Sequence, residues 1–382
     1  MGATHQVYLS LGSNLEHRFR YLQKGVIAIA EKMGEVLKTS QVYENPAVGF
    51  EGDPFLNACI LVETSMSPAT VLDTALHIEQ TYGRTRDANT TGYASRTLDI
   101  DVLLYDNVLL DSETLTLPHP KMAERAFVLK PLADIAPQYY HPLLQKDIRN
   151  LLQECKDRVA VQKTKHQLFK SREHFFSQVQ LIAIEGSIGA GKTSLARMIS
   201  EDFNAKLVLE RFADNAFLPK FYEDPTRFAF PLEMSFLADR YQQFSEDTAQ
   251  FDLFKNFMVS DYDIFKSLIF AQITLQKDEF KLYRKLFNFM YKEIKKQDIY
   301  LFLYQNTDRL LENIKYRGRT YEQNIEAQYL EKINRGYLDF LKEHPQQNSI
   351  VLDLSELDFI KHPKDYTFIL EQLEDNLLDK AF

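Results

Sequence analysis

The chain has 382 residues, 45% apolar and 26% charged, with a formal net charge of −9. That length favours two domains, and the composition is that of an ordinary globular protein, not a disordered or fibrous one. The acidic balance argues against a nucleic-acid or anionic-membrane partner, no apolar run approaches a membrane span, and Cys59 and Cys155 make neither a disulfide framework nor a zinc spacing.

In chain order, QVYLSLGSN reads as a strand ending at a Gly-Ser-Asn turn. The N-terminal stretch has no basic region followed by an apolar core, so it does not read as a signal peptide, and Gln6 stands where myristoylation needs Ser or Thr; the two cysteines make a reducing cytoplasm the expected compartment. LEHRFRYLQKGVIAIAEKMG has helical apolar spacing and is closed by Gly34. VLKTSQVYENPAVG and FLNACILVETSM read as the second and third strands. SPATVLDTALHIEQTYG is a helix capped by Ser67, with Pro68 in its first turn and Gly83 at its end. After the polar loop RTRDANTTGYAS comes the strand RTLDIDVLLY, then PHPKMAERAFVLKPLADIAP as loop plus short helix. Strand, helix, strand, strand, helix, strand is the ferredoxin-like α+β order.

Within that last strand, Asp99 and Asp101 lie two residues apart, so both carboxylates point to one side. Their repulsion needs neutralising, and Arg84, Arg86, Arg96 and Arg125 are close in sequence. Alone, such a pair fits a solvated strand face; with cations and phosphate it fits Mg²⁺, which takes one or two carboxylates plus phosphate oxygens and water.

LGSN, FLNA, GRTR, SRTLDIDVLLY and LPHPKMAERAFVLKPLADIAP, spread over about Val7–Pro137, resemble the hydroxymethyldihydropterin pyrophosphokinase family of folate biosynthesis. The resemblance implies transfer of the β,γ-pyrophosphate of ATP to the 6-hydroxymethyl group of a dihydropterin, releasing AMP. Asp99 and Asp101 match the family's ligands for two Mg²⁺ ions. Phe55 and Phe127 match the aromatic pair around the pterin, and Asn45 and Asn57 match pterin-binding positions. Glu79, Arg86, Thr116, His119 and Arg125 match nucleotide-binding positions, and Arg84 and Arg96 the arginines on the transferring group. Without the motif, the two phenylalanines would read as core, and His119, between two prolines, as part of a rigid turn.

The first domain is expected over 1–158. A charged stretch over 159–178 follows, without Pro or Gly, which suits a partly helical linker more than a floppy tether. The second domain, 179–382, restarts the pattern. VQLIAIEG is a near-continuous apolar strand, KTSLARMISEDF a helix, and AKLVLER, FKNFMVSDY, IYLFLYQ and SIVLDLS further strands between aromatic-rich helices. This predicts an α/β fold with a five-stranded parallel sheet.

At the first strand's end, Gly186-Ser-Ile-Gly-Ala-Gly-Lys192-Thr193 matches G-x-x-x-x-G-K-[ST] completely. Gly186, Gly189 and Gly191 let amides turn inward around phosphate, Lys192 adds charge, and Thr193 offers a Mg²⁺ ligand. Glu210, at the next strand's carboxyl edge, is placed either to accept a hydroxyl proton or to pair with Arg211. Glu233 and Arg240, seven residues apart, share a helix face as an ion pair or a ligand clamp. Arg317, Arg319 and Glu322 form a short cluster that reads either as a solvated face or as arginines closing over phosphates.

GSIGAGKT, LERFADNAFLPKFYEDP, FPLEMSFLADRY, SDYDIFKSLIFA and RGRTYEQ, in that order, resemble the deoxyribonucleoside kinase family over Gln180–Phe382. This implies a P-loop kinase transferring the γ-phosphate of ATP to a deoxynucleoside 5′-hydroxyl. Glu210 matches the general base, Tyr222 and Glu322 the groups on the sugar 3′-hydroxyl, and Arg317 and Arg319 the lid arginines. Many members have Gln where this chain has Glu233, and Glu/Asp-Arg-Ser where it has Ser260-Asp261-Tyr262; Asp261 is then the candidate Mg²⁺ carboxylate, for one ion. SDY and LEM resemble the bacterial purine branch. A carboxylate at Glu233 suits the two adjacent donors of guanine, so deoxyguanosine is expected first and deoxyadenosine second. The overall expectation is a bifunctional ATP-dependent enzyme, homodimeric through its second half. The alternative is one half that is catalytically silent and serves for nucleotide binding or dimerisation.

Overall fold

The computed structural model describes residues 3–47, 51–83, 95–211, 215–249, 254–319 and 322–380. Arg84 and Arg86 lie outside the described residues. The chain forms two compact units, one running to Phe175 and taking in the last residues from Leu378, the other Phe176–Leu377.

The first unit contains β1 (His5–Ser13), α1 (Arg18–Lys32), β2 (Glu35–Thr39), β3 (Gln41–Asn45), β4 (Phe55–Thr64), α2 (Pro68–Thr81) and β5 (Asp99–Tyr105). A short ribbon of β6 (Leu110–Asp111) and β7 (Thr116–Leu117), then α3 (Ala126–Ile135), α4 (Ile148–Glu154), β8 (Gln162–Gln167) and α5 (Arg172–Phe176) follow. The main sheet has the order β5-β1-β4-β3-β8, with β2 also pairing β4. Its first five strands are the antiparallel ferredoxin-like sheet expected. α1 buries Leu22, Val26 and Ile29, and α2 buries Val71, Ala75 and Ile78, at the spacing of one helix face. Tyr8, Cys59, Leu61 and Leu103 pack with Val128, Leu129, Leu132 and Ile135 of α3.

Three sequence readings change. β1 continues through Gly12 and Ser13, so no turn begins there. VLKTSQVYEN is two strands broken at Ser40, whose hydroxyl takes the Cys59 N–H at 2.9 Å. The expected linker 159–178 carries β8, paired antiparallel with β3 through Gln41↔Gln167 and Tyr43↔Lys163. Its residues QKTKHQ are polar and four of the six are exposed, the composition of an edge strand, and Thr164 Oγ1 donates to Val42 O at 2.9 Å.

The second unit contains β9 (Leu181–Gly186), α6 (Lys192–Asp202), β10 (Lys206–Val208), α7 (Leu218–Glu223), α8 (Pro225–Ala249), β11 (Met258–Ser260), α9 (Phe265–Thr274) and α10 (Lys277–Tyr291). β12 (Ile299–Tyr304), α11 (Thr307–Arg317), α12 (Ala327–Glu343), β13 (Ser349–Asp353) and all but the last three residues of α13 (Pro363–Lys380) complete it. The five strands are all parallel, in the order β10-β11-β9-β12-β13. All six residues of β9 are buried, as a strand covered on both faces requires. From β9 the chain crosses to the edge strand β10, returns to β11 beside β9, and only then adds β12 and β13 on the other side. The carboxyl end of β9 is therefore a topological switch point, the crevice where open α/β sheets bind ligands.

Candidate active sites

In the first unit, β5 puts Asp99 opposite Gly12 and Asp101 opposite Ser10 of β1, on the face that α3 covers. Both aspartates therefore share a face. Arg96 donates to Asp99 Oδ2 at 2.5 Å, and Arg125 Nη1 is 4.0 Å from Asp101 Oδ2. Burial and repulsion by Asp99 push the Asp101 carboxyl upward against the pull of His119, Arg125 and Arg96. Burial likewise lowers the His119 imidazole although Asp101 opposes it.

The strand register gathers the remaining groups. A Cβ on Gly12 would lie 3.1 Å from Asn57 Oδ1, 3.7 Å from the Phe55 ring and 4.0 Å from Asp99 Cβ. Asn57 donates to Asn45 Oδ1 at 2.5 Å, and both are buried. The Arg125 guanidinium lies 5.6 Å from the centre of the Phe127 ring. Thr116, in the β6–β7 ribbon, donates to Asp111.

Glu79 reaches the aspartate strand from the neighbouring helix. It is buried on α2, and its Oε1 accepts the Ile100 N–H at 2.7 Å, holding the strand between the two aspartates. Asn14, buried at the end of LGSN, escaped the sequence reading: its Oδ1 accepts the Arg96 N–H at 2.6 Å and its Nδ2 reaches Asp53 O and Ser95 Oγ.

In the second unit, Gly189 and Gly191 have φ of 85° and 88°, left-handed values that glycine adopts without strain. A Cβ on Gly191 would meet the Phe359 ring at 2.9 Å. Lys192 Nζ donates to the carbonyls of Gly186 and Ser187 at 2.8 and 2.9 Å. Burial and the neighbouring Lys266 ammonium pull Lys192 down to about 8. Thr193 donates to Asp261 Oδ2, while Asp261 Oδ1 accepts the Glu210 N–H at 2.7 Å. Hydroxyl and carboxylate together offer the oxygen ligands Mg²⁺ takes, as do Asp99 and Asp101 in the first unit. No group of three or more His, Cys, Asp or Glu placed to hold a metal ion gathers among the described residues.

Lys192, Thr193 and Asp261 line a cavity of about 130 Å³ with Glu210, Tyr222, Glu233, Arg240, Lys266 and Glu322. Arg240 holds Glu210 Oε1 and Lys266 holds Glu210 Oε2, at 2.7 and 2.6 Å. Burial opposes ionisation of Glu210, but Lys266 and Arg240 together outweigh it and hold the carboxyl well below the usual range. Arg240 therefore pairs with Glu210 across 30 residues, not with Glu233 on its own helix. Glu233 is buried; Thr274 donates to its Oε1 at 2.9 Å, and Oε2 has no hydrogen-bond partner. Burial pushes Glu233 up to about 7.

At the cavity's other end Glu322 accepts from Arg317, and from Arg319 at 3.3 Å. Lys266 and Glu185 also escaped the sequence reading. Glu185 is buried one residue before the phosphate loop and accepts the Asp263 N–H at 2.6 Å and the Tyr337 hydroxyl at 2.8 Å, tying β9 to α12. Its only signal was an acid inside an apolar strand.

Residues 182–379 match the family model for deoxynucleoside kinase, and residues 8–137 that for 7,8-dihydro-6-hydroxymethylpterin-pyrophosphokinase. The chain is 35% identical over 199 residues to deoxyguanosine kinase of Bacillus subtilis, covering 51% of this chain and 96% of that one. It is 41% identical over 138 residues to 2-amino-4-hydroxy-6-hydroxymethyldihydropteridine pyrophosphokinase of Porphyromonas gingivalis, covering 36% of this chain and 93% of that one. A third similarity, 36% over 152 residues, is to folic acid synthesis protein fol1 of Pneumocystis carinii; it covers 40% of this chain and spans 20% of that protein's length.

Proposed function

The chain belongs to the hydroxymethyldihydropterin pyrophosphokinase family through its first half and to the deoxynucleoside kinase family through its second, and from that membership we propose two separate transfers from ATP. The first moves the β,γ-pyrophosphate to the hydroxymethyl oxygen of a dihydropterin, releasing AMP. The second moves the γ-phosphoryl group to the 5′-hydroxyl of a purine deoxynucleoside, deoxyguanosine before deoxyadenosine, releasing ADP. We assign the first activity to residues 1–158, the second to 179–382, and both to the cytoplasm.

Asp99 and Asp101 would hold two Mg²⁺ ions, and Asp261 with Thr193 one; bound there, the ions neutralise phosphate charge. In the first site Phe55 and Phe127 stack the pterin, and Asn45 and Asn57 hydrogen-bond its edge. Glu79, Arg86, Thr116, His119 and Arg125 bind ATP, and Arg84 and Arg96 steady the group in transit. Catalysis there is positioning and charge compensation. In the second site Glu210 takes the hydroxyl proton, Tyr222 and Glu322 hold the sugar, and Arg317 and Arg319 leave Glu322 for phosphate oxygens.

The observation that carries the choice of acceptor is the unpartnered Oε2 of Glu233 on the cavity wall. An ionised carboxylate only accepts, and guanine offers N1–H and an exocyclic NH₂ side by side. We also assign a homodimer to the second half: Leu282, Leu286 and Phe289 lie on one face of α10 and are exposed, an apolar stripe suited to a second copy.

The test is a panel of the four deoxynucleosides with ATP on the intact chain and on Glu233→Gln. Deoxyguanosine should be the best acceptor, and the variant should move the preference about tenfold or more toward deoxyadenosine. An unchanged ratio would refute the assignment of Glu233.

A further inference from the structure

We propose that Lys266 is a catalytic residue of the second site, its ammonium binding the phosphoryl group in transit between ATP and the acceptor oxygen. The proposal rests on the reading of Glu210 as acceptor of the hydroxyl proton. Ser260-Asp261-Tyr262 brings no cation to this place: Ser260 and Tyr262 are fully buried, and Asp261 is engaged by Thr193 and the Glu210 N–H. Arg240 is committed elsewhere. Its Nε and Nη2 go to Glu210, its Nη1 to Ser267 at 2.8 Å, and its guanidinium lies 4.7 Å from the centre of the Phe236 ring.

Lys266 is different. The first turn of α9 carries it to the cavity wall, where its side chain keeps 12% exposure. An ammonium has three donors, and Glu210 Oε2 at 2.6 Å takes one of them. Lys192, for the phosphates, and Glu210, for the hydroxyl, line the same cavity. The group passing from one to the other crosses the reach of Lys266. As the acceptor oxygen bonds to the γ-phosphorus, the bond from that phosphorus to the bridging oxygen of ADP breaks. The hydroxyl proton goes to Glu210. Lys266 keeps its three protons and lends hydrogen bonds to the equatorial oxygens, where the charge of a loose transition state collects.

The experiment is steady-state deoxyguanosine phosphorylation by the intact chain, by Lys266→Ala with and without added ethylammonium, and by Lys266→Arg, with pterin pyrophosphorylation as an internal control. The Ala variant should lose about 100-fold or more in kcat, with KM for deoxyguanosine within about threefold of the parent. Ethylammonium should restore part of it saturably, and Arg should retain more than Ala. If Lys266→Ala loses thermal stability, Lys266→Gln takes its place. A kcat within threefold of the parent, a loss confined to KM, or no response to the amine would overturn the proposal. Glu210→Gln is run beside it; full activity there would overturn the base reading, and with it this one, whatever Lys266→Ala shows.

Discussion

Glu210 and Glu233 line one cavity, yet their surroundings push them opposite ways. Glu210 has two cations and stays ionised; Glu233 has a threonine hydroxyl and burial, which favours the neutral acid. With a folded pKa of about 7 against an ordinary 4.5, Glu233 contributes stability that is full below the ordinary value and lost as pH rises through about 7. The second unit's thermal midpoint should therefore fall between pH 5.5 and 8, and fall less in Glu233→Gln. Deoxyguanosine, whose donors pair the carboxylate, should offset the loss at pH 8. Differential scanning at both pH values checks this; equal slopes in parent and variant would contradict it. In the first unit, Asp101→Ala should keep pterin binding within a few fold by calorimetry but lose turnover by about 100-fold or more. Near-normal turnover would exclude a metal role for the pair.

Among the elements, β5 and the loop after β9 were legible because their chemistry is contiguous. Period two alone places Asp99 and Asp101 on one face, and the glycine spacing before Lys192 spells its own turn. Pairings between elements were not legible. Lys266 meets Glu210 across 56 residues, and Arg240, sharing a helix face with Glu233, pairs instead with Glu210 on another element. Helical spacing says which side chains share a face, not what faces them. β8 was missed for another reason: an edge strand of QKTKHQ has no apolar alternation to detect. It closes the β3 edge, so a fragment ending at residue 158 should be less stable than one ending at 175, with a midpoint several degrees lower. Equal midpoints would show β8 to be dispensable.

Across the whole molecule, each unit carries its own sheet, core and cluster of acids and cations. No helix among the described residues is long and apolar enough to cross a membrane. Two chemistries on one chain leave two different nucleotide products, which separates the sites without dissecting the protein. The most direct measurement is the nucleotide released when the intact chain, Asp101→Ala and Lys192→Met are each incubated with ATP, Mg²⁺ and one acceptor. The parent should give AMP with the dihydropterin and ADP with deoxyguanosine. Asp101→Ala should lose only the AMP, and Lys192→Met only the ADP. Either variant abolishing both products, or a parent chain giving one product with both acceptors, would contradict two independent sites.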